Sequence, residues 1–190
     1  MAKNRISDAA LGELLDRQEI LDCIHRYTRG IDRHDKEMVL SAYHPDAIDD
    51  HGLYCGVAKD FVDWACWFHD QNQTLHHHYV TNHSVELDGD TAHAETYWLF
   101  VGVNKDGSHP LTLSGGRYID RFERRDGKWG IAARTCLIEW QGDLSEVNSP
   151  AEFKAASLAG GISAWNKTDA SYERPFNVKR PAMAPIRPGS

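Results

Sequence analysis

Residues 75–90 read LHHHYVTNHSVELDGD and place His76, His77, His78 and His83, four of the chain's eleven histidines, within eight positions ahead of an Asp-Gly turn. Imidazoles at that density have two chemical uses: as neutral ligands they hold a transition metal, and as groups titrating near neutral pH they take and return protons. In an extended strand side chains alternate between faces, so His76 and His78 share one face and His77 takes the other. A His-x-His pair suits a metal, but such a site wants a carboxylate about five positions beyond the second histidine. Asn82 and His83 stand there instead, and Glu95 is the substitute on the following strand. No metal and no cofactor is therefore expected. Acid–base chemistry remains, beside a plainer reading in which His76 and His77 are a polar strand entry and His83 and His93 are solvated sheet positions.

The elements that must position these residues divide by period. In LLDRQEILDCIHRYTRGIDRHD, Ile20, Ile24, Tyr27 and Ile31 recur at spacings of four, three and four, the stripe of an amphipathic helix ending near Gly30. Asp35 caps a second short helix through KEMVLSAY, which His44-Pro45 stops. A brief strand or turn follows in AIDDHGLYCG. From Val57, the residues Phe61, Trp64, Ala65 and Phe68 predict a third helix with HDQNQ as its polar exit. Between Leu75 and Trp140 the pattern changes to β-rich runs separated by Asp88-Gly89, Asp106-Gly107 and Asp126-Gly127, which are strong hairpin signals. Helices followed by an antiparallel meander predict an α+β fold, with the helices covering one face of a curved sheet. Gly115-Gly116 inside a strand run predicts a bulge. After Gly142 comes one short helical pattern and then a proline-rich end. The domain is read as residues 1–142 and the extension as 143–190.

Composition excludes several partners. A chain of 190 residues with 41% hydrophobic residues is long enough for one substantial core. A formal charge of −7 without a Lys/Arg block argues against nucleic acid or an anionic membrane as the main partner. Neither a signal-peptide core nor an apolar run of bilayer-spanning length is present. Cys23, Cys55, Cys66 and Cys136 form no C-x-x-C pair and read as reduced, mostly buried thiols. The expected location is the cytoplasm, and the expected partner a small molecule.

The helix order, together with DRQEILDCIHRYTRGIDRHD, DDHGLYCG, HYVTNHSVELDGDTAHAETYW and GGRYIDRFERRDGKWGIAAR, resembles the SnoaL-like branch of the nuclear-transport-factor-2-like superfamily over roughly residues 10 to 142. The late SYERPF is similar to tails in that branch. The resemblance implies a cone of sheet and helices around an apolar pocket. It also implies an Asp near the end of the first helix that orients a His on a sheet strand. Matched by motif, these are Asp32 in RYTRGID and His78 in HHHYVTN. A carboxylate on one imidazole nitrogen fixes the tautomer and stabilises the imidazolium, which makes a base without a metal. Tyr27 reaches the same cavity if the helix tightens or unwinds near Gly30, and its hydroxyl would polarise a carbonyl or assist a leaving hydroxyl. Each of these residues also has a plainer role, as core or as a helix-end residue.

Substrate recognition is expected from Tyr43, His51, Asn82, Glu95, Tyr97 and Arg117, with Trp64, Trp67 and Trp98 as further large rings near the cavity mouth. Arg117 would hold a developing oxyanion or a substrate carboxylate, or else pair with Glu95 or Asp50. The superfamily hosts hydro-lyases and, for lignin-derived diaryl compounds, lyases that expel formaldehyde. The leading expectation is a cofactor-independent lyase acting on a hydroxylated aromatic or polycyclic molecule. An isomerase using the same base, a non-catalytic binding module and the small subunit of a ring-hydroxylating oxygenase are the alternatives. Large apolar residues such as Trp98 and Phe100 on a sheet with one face covered, and tail anchors at Phe153, Leu158, Ile162 and Trp165, predict a homo-oligomer with a trimer preferred.

Overall fold

The computed structural model describes residues 7–144, 164–169 and 172–173. The chain divides into two compact units, Met1–Val147 and Asn148–Ser190. In the first unit, helix α1 spans Asp8–Arg33. Ser7 caps it, its hydroxyl accepting from the Ala10 N–H at 3.1 Å, with Asp8 in the first turn where the helix dipole favours an acid. It ends where His34 takes a left-handed backbone (φ 51°) and the N–H groups of His34 and Asp35 return to the carbonyls of Ile31 and Gly30. Helix α2, Lys36–Leu40, folds back at once, with the Asp35 carboxylate accepting from the Met38 N–H at 3.1 Å. So close a return requires Gly30, where a Cβ would stand 2.6 Å from Cγ2 of Val39.

The second helix is shorter than its sequence pattern suggests, because Tyr43 already begins strand β1, Tyr43–Asp50. Pro45 lies within β1, at the irregular stretch between Tyr43 and Ile48 where pairing with its neighbour slips. Strand β2, Cys55–Val57, leads into helix α3, Ala58–Asn72, and then come β3, Gln73–Asp88, β4, Thr91–Asn104, β5, Leu111–Arg125, and β6, Lys128–Leu144.

The six strands form one sheet in the order β2-β1-β6-β5-β4-β3. β3 to β6 are the expected antiparallel meander, but β1 runs parallel to β6, so the sheet is mixed. A parallel pair cannot be joined by a hairpin, and α3 with the meander carries the chain between the two strands. Asp126 (φ 52°) and Gly127 (φ 74°) supply the two positive dihedrals of a tight hairpin turn. The expected bulge falls between Gly115 and Gly116. The core joins Ile20, Ile24 and Ile31 of α1, Phe61 and Val62 of α3, and Ala92, Phe122 and Ile131 of the inner sheet face.

In the second unit Ala164–Asp169 form turns, the Ala164 N–H donating to Asp169 Oδ2 at 2.9 Å and the Thr168 N–H to Asn166 Oδ1 at 2.8 Å. Of the expected tail anchors, Phe153, Leu158 and Ile162 lie outside the described residues.

Candidate active site

The last turn of α1 delivers Asp32 against β3, where it is 8% exposed. The His78 backbone N–H donates to both Asp32 oxygens, at 3.1 and 3.0 Å, and His78 Nδ1 donates to Oδ1 at 2.7 Å. An ionised carboxylate only accepts, so Nδ1 carries a proton, and in the neutral imidazole the lone pair is therefore on Nε2. His78 lines the cavity, and its Nε2 makes no hydrogen bond among the described residues. The helix dipole disfavours an acid at this end by about 0.3–1 kcal/mol, a cost these bonds offset.

His76 shares the face of His78 but lies deeper, fully buried, with Nε2 3.3 Å from the Ile31 carbonyl and 3.7 Å from Asp32 Oδ1. It is therefore no polar strand entry: the inward face of β3 passes beneath the end of α1 and encloses it. His76 stacks on His69 of α3 with ring centroids 4.0 Å apart, and His69 stacks on Phe100 at 5.5 Å. Burial above all pushes His69 down to about 3, and it lowers His76 as well, so both stay neutral. Ligand atoms of Asp32, His76 and His78 lie within 4.8 Å of one another, the composition of a two-histidine, one-carboxylate site. A cation there would have to replace the proton between His78 and Asp32 and draw His76 off the Ile31 carbonyl. The donors as placed fit a proton network better than a metal.

A cavity of about 440 Å³ lies between α1, α3 and the inner sheet face, with Tyr27, His51, Phe61, Trp64, His78 and Tyr118 among its walls. Tyr27 Oη and His51 Nε2 are hydrogen-bonded at 3.1 Å, and His51 Nδ1 pairs with Asp49 Oδ1. The Tyr43 hydroxyl donates to the other Asp49 oxygen at 2.5 Å. Behind these rings Arg134 forms a bidentate pair with Asp120, both bonds 2.7 Å, and its guanidinium stands 4.2 Å from the ring centroids of Tyr27 and Tyr118. Burial holds the phenols of Tyr27, Tyr43 and Tyr118 well above their ordinary range, so they remain protonated donors. The buried Trp98 indole N–H, also on the cavity wall, has no partner among the described residues. Towards the other end the walls are polar, with Asn104, Thr112, Ser114 and Gln141.

Of the residues expected to meet substrate, Tyr27, His51 and His78 line this cavity, as do Trp64 and Trp98. Five others do not. Tyr43 is buried behind Tyr27 and spends its hydroxyl on Asp49. Asn82 is exposed in the bulge between Val80 and His83, which breaks the alternation that would have aligned it with His78. Glu95, Tyr97 and Arg117 occupy the outer sheet face, since inward positions on β4 and β5 are held by Thr96, Trp98 and Tyr118. There Arg117 donates to Glu95 Oε1 at 2.8 Å and also pairs with Glu139, which leaves it no part in holding a ligand in the cavity. Trp67, 57% exposed, likewise faces away. Asp49 was legible in DDHG, because positions two apart on an extended segment share a face; Tyr118 and Arg134 are brought in by sheet register and carried no local signal.

The sequence profile of the SnoaL-like domain matches residues 12–135. No curated protein matches the chain. Among solved structures, the hexachlorocyclohexane dehydrochlorinase LinA-type3 of Novosphingobium barchaimii is 24% identical with a TM-score of 0.65, covering 74% of this chain and 97% of that one. A Novosphingobium aromaticivorans protein provisionally named a scytalone dehydratase is 15% identical with a TM-score of 0.62, over 72% and 92% of the two chains. A second protein of that organism, provisionally named an aromatic ring hydroxylase, is 28% identical with a TM-score of 0.61, over 69% and 94%. The curved, unclosed sheet with its packed helices is the cone of the nuclear-transport-factor-2-like fold.

Proposed function

We propose that this chain, which belongs to the family of SnoaL-like domain proteins, is a cofactor-independent lyase acting on a hydroxylated aromatic or polycyclic small molecule. One observation carries the reading. Asp32 binds His78 through Nδ1 at 2.7 Å, and this leaves Nε2 as an unprotonated base on a cavity wall. His78 removes a proton from carbon or from a hydroxymethyl oxygen, Asp32 stabilises the imidazolium, and Tyr27 assists departure of water. With a hydroxymethyl group on the carbon beside the leaving hydroxyl, the same base takes the hydroxymethyl proton, formaldehyde departs, and the pair of the broken carbon–carbon bond forms the alkene as the hydroxyl leaves as water. Fold relatives named for loss of hydrogen chloride and of water support elimination as the reaction class. A cavity of about 440 Å³ walled by aromatic rings, with polar groups at one end, suits a flat ligand carrying a few hydroxyls.

The test is a mass-spectrometric screen of hydroxylated aromatics, including diaryl 1,3-diols, for products lighter by water alone or by formaldehyde together with water. Saturable binding without turnover across the panel would instead make the chain a binding module. A second reading, the small subunit of a ring-hydroxylating oxygenase, is favoured by the aromatic ring hydroxylase name of one relative. Co-purification with a large iron-containing subunit would establish it.

Assembly and location complete the proposal. The outer sheet face exposes Tyr79, Tyr97, Leu99, Ile119, Leu137 and Trp140. Such a surface fits a homo-oligomer, with a trimer preferred. No described helix is long and apolar enough to cross a membrane. The free thiols Cys23, Cys66 and Cys136 are buried, which suits a reducing cytoplasm.

A further inference from the structure

We propose that Asp49, His51 and Tyr27 form a second proton-handling unit, separate from the Asp32–His78 dyad, that delivers a proton to the oxygen leaving the substrate. The proposal rests on the lyase reading and adds the acid that such a reaction needs. Expelling hydroxide unprotonated is unfavourable near neutral pH, and a base that has just accepted a proton from one side of the substrate does not supply the other side.

The unit is built from three elements. Tyr27 comes from the buried stripe of α1, Asp49 from β1, and His51 from the turn after β1. His51 Nδ1 bonds to Asp49 and its Nε2 to the Tyr27 hydroxyl at 3.1 Å, so the imidazole bridges a carboxylate and a phenol. The ring is fixed by stacking on Phe61, with centroids 4.3 Å apart. Tyr27 and His51 both line the cavity that His78 lines.

The imidazole stands between a buried carboxylate and a buried phenol. Asp49 is fully buried, and buried carboxylates need a cation or several donors. It has the Tyr43 hydroxyl and His51. The nearby cation, Arg134, is committed through both bonds to Asp120, so that pair is neutral as a unit. His51 is therefore the second side chain, after Tyr43, that satisfies Asp49. From α1 and α3 the titratable groups facing it are Tyr27 and His69. From the sheet they are Asp49, Tyr118, Asp120 and, across the Tyr27 ring, Arg134. Tyr27, kept a phenol by burial, is the donor that meets the leaving oxygen, and His51 acts through it.

The step balances. His78 Nε2 takes the substrate proton, the released electron pair forms the double bond, and the carbon–oxygen bond breaks with its pair on oxygen. The Tyr27 proton moves to that oxygen and water leaves. The phenolate then takes the proton from His51 Nε2. The proton gained by His78 and the one lost by His51 are exchanged with solvent after product release.

The discriminating experiment compares two substrates of one carbon skeleton, one losing hydroxyl and one losing acetate from the same position, since acetate departs without an acid. His51→Gln and Tyr27→Phe should each lower kcat/KM for the hydroxyl substrate about 100-fold or more while changing the acetate substrate only a few-fold. Imidazole should restore part of the rate that His51→Gln loses on the hydroxyl substrate. Equal losses on both substrates would overturn the proposal by making His51 structural. His78→Ala should lose both substrates. If it does not, the lyase reading falls first. The imidazole nitrogen-15 spectrum of His51 is independent of turnover: a titration midpoint that moves in both Tyr27→Phe and Asp49→Asn supports the unit even in a chain without lyase activity. One that ignores both substitutions overturns it.

Discussion

Replacing Asp32 by Asn changes one group and removes the charge that sets the His78 tautomer. In the wild type the two Asp32 oxygens receive the His78 backbone N–H at 3.1 and 3.0 Å and Nδ1–H at 2.7 Å. An asparagine has one oxygen for the two places, and the Oδ1 place is the one both donors reach. With the oxygen towards Nδ1, the amide hydrogens meet the backbone N–H. With the amide turned over, its NH₂ donates to Nδ1, the ring proton moves to Nε2, and the cavity-facing lone pair is lost. The second arrangement is expected to prevail. A serine-protease triad altered in the same sense loses about 10⁴-fold in kcat. We therefore expect kcat to fall by about 10³ to 10⁴, equivalent to about 4–5.5 kcal/mol of transition-state stabilisation. Stability should fall by only about 1.5–3 kcal/mol, the worth of one hydrogen bond to a charged group. Steady-state kinetics and thermal unfolding read the two quantities separately. Combined with His78→Ala, the losses should be far from multiplicative, because the residues act as one unit. A reduction below tenfold, or a double mutant losing the product of the single effects, would refute the dyad.

Turnover should survive exhaustive chelation, since Asp32 and His78 are bonded to each other and His76 to the Ile31 carbonyl. Loss of activity restored by one divalent ion would convert that trio to a metal site. Acid should destabilise the fold between about pH 6.5 and pH 3. His69 and His76 are held neutral by burial and titrate normally when unfolded, so the unfolded chain binds more protons in that window. Each group then costs about 1.4 kcal/mol per pH unit, and full stability returns above 6.5. Denaturant midpoints that do not fall across this range would contradict the burial argument. On the outer sheet face Leu99→Lys combined with Trp140→Glu should give a monomer by light scattering, with circular dichroism unchanged. A wild-type monomer at micromolar concentration would remove the oligomer from the account.

The helix stripe of Ile20, Ile24, Tyr27 and Ile31, and the Asp-Gly pairs between strands, were legible because each rests on local periodicity or a local dihedral requirement. The parallel pairing of β1 with β6 was not, since it joins segments brought together only by the finished sheet. The Asp32–His78 pairing was reached through motif resemblance rather than spacing, because 46 positions separate the two residues. Strand parity decided the recognition residues. A one-residue slip exchanges the faces of a strand, and the bulge before His83 carried Asn82 out of line. Glu95, Tyr97 and Arg117 share a face, as their sequence implies, but which face depends on Thr96, Trp98 and Tyr118 packing inward. The buried Arg134–Asp120 pair, which backs Tyr27 and Tyr118, had no sequence signal because neither residue has its partner nearby in the chain.

The central claim is that the Nε2 lone pair of His78 performs the chemistry. The most direct measurement is single-turnover conversion of a substrate found in the mass-spectrometric screen by wild type, by His78→Ala, and by His78→Ala with added imidazole. The account predicts loss of water, alone or together with formaldehyde, by wild type, a drop of about 10² to 10⁴ in the variant, and partial recovery with imidazole, whose ring fits the vacated space. Turnover by His78→Ala at the wild-type rate would contradict it.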